Sequence, residues 1–260
     1  MANISLDTNA VRQSTSAMIP KIIHYCWFGG NALPKSARRC INSWKRYFPD
    51  FEIREWNESN FDVEMIPYTR EAYERKKWAF VSDFARFWVL YHYGGLYFDT
   101  DVEVIRSMDD ILARGAFMGI ERDADRVSVA PGLGLGAKPG MEIYSMILEH
   151  YSGLRYIGND GTPVPGTVVK HTTDVLSKNG FVAEDRMQQV AGIWIYPNDW
   201  FNPLDDATGR LTVTENTRSI HLYSKTWVDH YGPLRIWMTR RLHRIFGIDG
   251  LQKLKIISRF

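Results

Sequence analysis

A chain of 260 residues, 45% hydrophobic and 24% charged with a net charge of +2, has the balance of a globular protein long enough to bury a substantial core. Its two cysteines, Cys26 and Cys40, are too few for a disulfide scaffold or a zinc cage. No run approaches the ~20 apolar residues of a membrane span. Residues 1–234 sum to −4, which argues against the broad basic surface that nucleic acid demands.

In chain order, residues 1–18 are polar, rich in Asn, Ser and Thr, and lack the apolar segment of a secretory signal; they predict a flexible leader and a cytoplasmic protein. Ile19 to Phe28 is a β-rich run opened by a proline and closed by Gly29-Gly30, which predicts a buried first strand. Pro34 to Phe48 places Ala37, Cys40, Ile41, Trp44 and Phe48 at helical intervals before Pro49. Phe51 to Trp56 alternates like a half-buried strand. Strand, helix and strand in succession predict a βαβ unit and a parallel sheet. Both cysteines fall on apolar faces and read as core.

Tyr68 to Tyr93 predicts one long helix ended by Gly94-Gly95. Its second half is apolar almost all round, so it is expected to be buried. Asp83 and Arg86 sit within it one turn apart, and buried charges are costly unless paired or used. Two readings stand: an i,i+3 salt bridge, or side chains that hold the hydroxyls of a ligand.

Leu96 to Val104 (LYFDTDVEV) alternates like extended chain, in which residues i and i+2 point to one side. Asp99 and Asp101 are thereby brought together at the end of an apolar strand. Carboxylates that close repel unless a cation or donors separate them, and hard oxygen ligands suit Mg²⁺ or Mn²⁺. The segment Pro131 to Gly136 (PGLGLG) lacks the Lys-Ser/Thr ending of a phosphate loop and reads as a flexible loop beside the site.

The last segment, 234–260, carries seven Lys or Arg against Asp249, a net +6. Its apolar residues recur at helical spacing from Leu234 to Phe246. A basic amphipathic tail of this kind either lies on an anionic membrane surface or docks on the body with a solvated basic face.

The block Lys77 to Val104, with Ala79-Phe80, Ser82-Asp83, Arg86, Tyr93-Gly94-Gly95, Tyr97 and Asp99-x-Asp101, resembles the DXD-containing sugar-binding region of glycosyltransferase family 32, which includes yeast-type mannosyltransferases and bacterial capsular and polysaccharide enzymes. The opening Ile19 to His24 with Trp27-Phe28-Gly29 resembles that family's first strand. His221 and Trp227 in HLYSKTW resemble its late motif.

The resemblance implies an α/β protein of GT-A fold, a Rossmann-like and mostly parallel central sheet flanked by helices. Residues 19–233 would form this domain and 234–260 a basic C-terminal helical extension. It implies a retaining glycosyltransferase that moves a hexose from a nucleotide-sugar donor, expected to be a UDP-hexose, to a hydroxyl of a glycan or lipid-linked glycan in polysaccharide biosynthesis. Asp83 and Arg86 would bind the transferred sugar. Asp99 would meet ribose, sugar or metal, with Asp101 and His221 as further ligands of Mn²⁺ or Mg²⁺. Lys225, which stands where a small residue is common, and Trp227 would contact the diphosphate. Trp27, with Tyr25 on the same face, would lie near the base unless both are core or rim aromatics. The basic tail would place the enzyme peripherally on the inner face of the cytoplasmic membrane. Two rivals use the same residues: another divalent-metal enzyme such as a phosphotransferase, or a non-catalytic sugar-binding module.

Overall fold

The run opened by Pro20 forms strand β1 (Ile22–Cys26), followed by helix α1 (Lys35–Tyr47) and strand β2 (Glu52–Trp56). The computed structural model describes residues 18–123, 126–164, 166–224 and 238–243. The expected leader apart from Met18, the donor-site residues Lys225 and Trp227, and the tail apart from 238–243 lie outside these. β1 and β2 pair in parallel from Ile22–Glu52 to Cys26–Trp56, so the predicted βαβ unit is present. α1 buries Ala37, Cys40, Ile41 and Trp44 at three- and four-residue spacing, the stripe a surface helix needs. Trp44 is fully buried and its indole N–H donates to Val102 O at 2.8 Å. Removing a ring of that size from water contributes about 3 kcal/mol. Cys26 and Cys40 are buried free thiols, as read.

Where the sequence predicts one helix from Tyr68 to Tyr93, the structure has two, α2 (Pro67–Glu74) and α3 (Trp78–Tyr93). The break is a C-terminal cap built without glycine. Lys76 takes a left-handed φ of 57°, its N–H donates to Tyr73 O, and the N–H of Lys77 reaches back to Ala72 O. This is the paired hydrogen-bond pattern that usually recruits Gly. A lysine there leaves no mark in a hydrophobic pattern. α3 is buried along Val81, Asp83 to Phe87, Val89 and Leu90, as its all-round apolarity requires.

Gly94 and Gly95 then turn the chain into β3 (Gly95–Tyr97). Gly95 has φ 97°, and a Cβ there would stand 2.5 Å from Ile22 O of the adjacent strand, so only glycine lets β3 lie against β1. After β4 (Val102–Val104) and α4 (Asp109–Arg114) come β5 (Phe117–Asp123) and β6 (Arg126–Val129). A short 3-10 turn (Pro131–Leu133) leads to β7 (Leu135–Ala137). The remaining elements are α5 (Glu142–Ser152), α6 (Val168–Lys178), β8 (Gln188–Val190), β9 (Ile193–Tyr196), α7 (Asn198–Phe201) and β10 (Ser219–His221).

The main sheet has the order β2-β1-β3-β7-β5-β9-β8, with β6 paired to β5. Following the pairings, β2, β1, β3, β5 and β9 run one way, and β6, β7 and β8 run the other. It is the mostly parallel α/β sheet that was expected. One face packs Met118, Ile120, Leu135 and Ala137 beneath α2, α3, α5 and α6. The other packs Ile23, Tyr25, Leu96 and Phe117 beneath α1, α4 and α7. The period-two alternation of each strand sorts its side chains between these two cores.

The glycine-rich segment 131–136 is not the expected loop. Pro131, Leu133 and Leu135 are buried, and β7 is an antiparallel strand between β3 and β5. Its glycines serve packing, since a Cβ on Gly136 would collide with the ring of Phe117. Residues 238–243 are helical and dock on the loop near Asp206, where Arg240 pairs with the Asp206 carboxylate at 3.1 Å and His243 Nδ1 lies 2.9 Å from Ala207 O. Among the described residues, no helix is long and apolar enough to cross a membrane.

Candidate active site

Asp99 and Asp101 lie on a tight turn between β3 and β4, not on continuous extended chain. The N–H of Val102 closes it onto Asp99 O at 3.0 Å. The turn, and not a two-residue strand repeat, therefore brings the two carboxylates together. The turn is fixed from outside: Asp99 N–H donates to Gly132 O and Leu222 N–H to Asp101 O. β4 leaves the main sheet to pair with β10, with Val102 opposite His221. That pairing delivers the histidine. One oxygen each of Asp99 and Asp101 and a ring nitrogen of His221 lie within 4.8 Å of one another.

Each ligand candidate is held by specific partners. Asp101 Oδ1 lies 3.1 Å from His221 Nε2. Its Oδ2 accepts from the backbone N–H and the hydroxyl of Ser224 at 2.8 and 2.9 Å. Burial alone would raise the Asp101 carboxyl, but the charge and hydrogen bonds of His221 and Ser224 outweigh it and hold it below the usual carboxylate range. Burial likewise opposes charge on His221, yet Asp101, Asp99 and Glu121 raise its pKa to about 9. A protonated His221 would offset part of the charge of the two carboxylates. His221 Nδ1 is buried with no hydrogen-bond partner among the described residues, so neither ring nitrogen is tied to a backbone group. Two carboxylates and an imidazole so disposed fit a divalent cation.

Asp83 and Arg86 form the i,i+3 salt bridge of the first reading, at the wall of a cavity. Arg86 Nη2 donates to Asp83 Oδ1 at 3.1 Å, making the i,i+3 pair. The guanidinium also donates to Asp99 at 3.3 Å and to Ser82 O at 3.1 Å, and lies 4.9 Å over the Tyr97 ring. Arg86 is held above its ordinary pKa because the charges of Asp99, Tyr97 and Asp83 outweigh its burial. Asp83 is pushed up to about 7 by burial against the pull of Arg86, and the Val168 N–H at the start of α6 also supports its charge. Yet Asp83, Arg86, Asp99, Asp101 and His221 all line one cavity of about 730 Å³, open to solvent at the C-terminal ends of β1, β3 and β5. An open α/β sheet binds its ligands at this edge.

Trp27 lines this cavity, with Phe28, Asn31 and Trp78; its indole N–H donates to Asn31 O. Tyr25 does not share it. It is buried against Trp44 and donates to Glu55 Oε2 at 2.6 Å, because β1 ends at Cys26 and Trp27 lies past the strand. Three further residues were not among the expected ligand-binding side chains. Glu121 comes from the end of β5, and burial raises its carboxyl above the ordinary value with the charge of His221 opposing. Tyr97 donates to Asp99 Oδ1 at 3.0 Å. Gly132 approaches so closely that a Cβ would fall on Asp99 Oδ2. Tyr97 belongs to the motif block and Gly132 to the segment expected beside the site, whereas Glu121 arrives only by sheet order.

Residues 34–118 match the family described as glycosyltransferase sugar-binding region containing DXD motif. The matched span ends at β5 and includes Asp83, Arg86, Asp99 and Asp101. Inositol phosphoceramide mannosyltransferase 1 of Schizosaccharomyces pombe is 30% identical over 129 residues, 45% of this chain and 38% of that protein. An uncharacterized glycosyltransferase of Acanthamoeba polyphaga mimivirus is 28% identical over 143 residues, 51% of this chain and 55% of that one. The chain spans about three-tenths to just over half of the length of the curated relatives it matches. Among solved structures, the PaToxG glycosyltransferase is similar with a TM-score of 0.49 and 16% identity, over 62% of this chain and 70% of that one. The mixed sheet with helices on both faces is the α/β architecture that the sequence predicts.

Proposed function

We propose that the chain is a retaining glycosyltransferase that moves a hexose from a nucleotide-sugar donor to a hydroxyl of a glycan or lipid-linked glycan acceptor. The observation that carries this reading is the convergence of Asp99, Asp101 and His221 on one cavity with the buried Asp83–Arg86 pair. Asp99, Asp101 and His221 would hold Mn²⁺ or Mg²⁺, which when bound neutralises the charge that grows on a departing diphosphate. Asp83 and Arg86 supply an acceptor and a donor for sugar hydroxyls at the cavity floor, and their mutual pairing fixes both in place before substrate arrives. Trp27 and Trp78 offer ring faces for a base in the cavity, and Lys225 and Trp227 follow closely after His221 for the diphosphate.

The name of the fission-yeast relative joins mannose to a lipid acceptor. That supports testing GDP-mannose beside the UDP-hexoses, and lipid-linked as well as soluble glycan acceptors. A lipid-linked acceptor fits work at the inner face of a cytoplasmic membrane. The test is release of nucleotide from a panel of UDP-hexoses, UDP-N-acetylhexosamines and GDP-mannose, with and without Mn²⁺, for the wild type and Asp101→Ala. Release of one nucleotide that requires the cation and is lost in the variant supports the proposal. Sugar binding without release, unaffected by cation, would instead leave a sugar-binding module.

A further inference from the structure

Helix α1 carries Lys35, Arg38, Arg39, Lys45 and Arg46 and no acid among its thirteen residues. Its buried stripe forces all five outward, and each is exposed. Residues 1–234 sum to −4, so with +5 on α1 the rest of that span is −9. One helix face thus concentrates positive charge on an otherwise acidic body. Arg39 is drawn down onto Glu103 in a two-pronged pair. Arg46 lies 5.4 Å over the Tyr47 ring, a contact that leaves its charge uncompensated. Lys35, Arg38 and Lys45 make no ion pair among the described residues. A solvated helix normally intersperses acids at i,i+4 to offset such charges; this one does not.

The helix is also placed beside the chemistry. Pro34, its N-terminal flanking residue, lines the cavity with Asn31, Ala32 and Trp27, so a surface seated on α1 lies at the edge of the cavity.

We propose that the basic face of α1 is a docking surface for an anionic phospholipid bilayer, through Lys35, Arg38, Lys45 and Arg46. These cations would lie among the headgroup phosphates, and their attraction falls off within a Debye length. The purpose assigned to the contact, presenting the cavity mouth to a lipid-linked acceptor, rests on the proposed transferase activity; the binding itself does not.

The experiment is co-sedimentation of the full chain with vesicles of phosphatidylcholine alone or mixed with phosphatidylglycerol, at low and high salt, with no donor or acceptor present. The wild type is expected to bind the anionic vesicles, to release them at high salt and to ignore the neutral ones. Lys35→Glu/Arg38→Glu/Lys45→Glu/Arg46→Glu is expected to lose about tenfold or more in affinity, while cation-dependent donor hydrolysis in vesicle-free solution stays unchanged. A second variant, with the seven cations of residues 235–259 changed to Gln, separates the tail from the helix. Equal binding by wild type and the α1 variant, binding to neutral vesicles, no vesicle binding at all, or stronger binding to RNA than to anionic vesicles would each overturn the proposal. Loss of hydrolysis in the wild type with vesicle binding intact would instead count against the transferase reading alone.

Discussion

The Nε2 of His221 lies 3.1 Å from Oδ1 of Asp101, and this contact joins the end of β10 to the turn before β4. Without a cation the two form an ion pair, and its pH dependence has a defined sign. The His221 pKa is raised in the fold from 6.5 to about 9. Its contribution to stability is therefore complete below about pH 6.5 and lost as pH rises through about 9. Asp101 is shifted downward, so its contribution is present above the ordinary carboxylate range and lost in acid. In chelator, the melting temperature of the wild type is expected to fall between about pH 7 and 10, and His221→Gln to flatten that slope. An unchanged slope would show that the pair is not formed in solution.

The same proton competes with a metal. An imidazole ligand must be deprotonated, so Mn²⁺ affinity measured by titration calorimetry is expected to rise with pH up to about 9. Ser224 supports Asp101 Oδ2 from its hydroxyl at 2.9 Å. Ser224→Ala keeps the backbone donor and removes the hydroxyl, and is expected to weaken Mn²⁺ binding by about tenfold, as outer partners of ligands commonly do. Equal affinity in the variant would mean that Ser224 does not orient the ligand.

Arg86 joins Asp83 and Asp99 below the cavity. Arg86→Met leaves Asp83 buried with its guanidinium partner gone, and the loss of one member of such a pair costs about 3–5 kcal/mol. Urea unfolding is expected to show this as a lower midpoint with an unchanged slope. Asp83→Asn/Arg86→Met, which removes both buried charges, is expected to recover part of the stability but none of the donor turnover.

Two glycines separate stability from function. Gly95→Ala forces a Cβ into φ 97° and to 2.5 Å from Ile22 O, and is expected to cost about 3 kcal/mol or more through the β1–β3 pairing. Gly132→Ala would press on the Asp99 carboxylate rather than on backbone. Its expected effect is at least about a tenfold loss of donor turnover, since displacing a positioned group by an ångström is enough for that. A Gly132→Ala protein with full turnover would remove Asp99 from the site.

What the sequence determined by itself were the patterns that local chemistry writes into neighbouring residues. The stripe of α1, the all-round apolarity of α3 and the apolar run of β1 follow from local pattern, and the observed burial matches them. Asp83, Arg86, Asp99 and Asp101 were legible because they are charges set in apolar runs, where burial demands a partner or a use. The break at Lys76 was not legible, because a left-handed cap was filled by a residue with no preference for it. The burial of the 131–136 segment was also hidden: its glycines read as a loop until β3 and β5 are seen on either side. Tyr25 could not be assigned to core or cavity without knowing that β1 stops one residue later. The tertiary structure alone brought His221 opposite Val102, Gly132 against Asp99 and Glu121 to the cavity wall. Those placements depend on strand order and pairing between segments far apart in the chain, and no local pattern of side chains encodes which distant strand will be the neighbour.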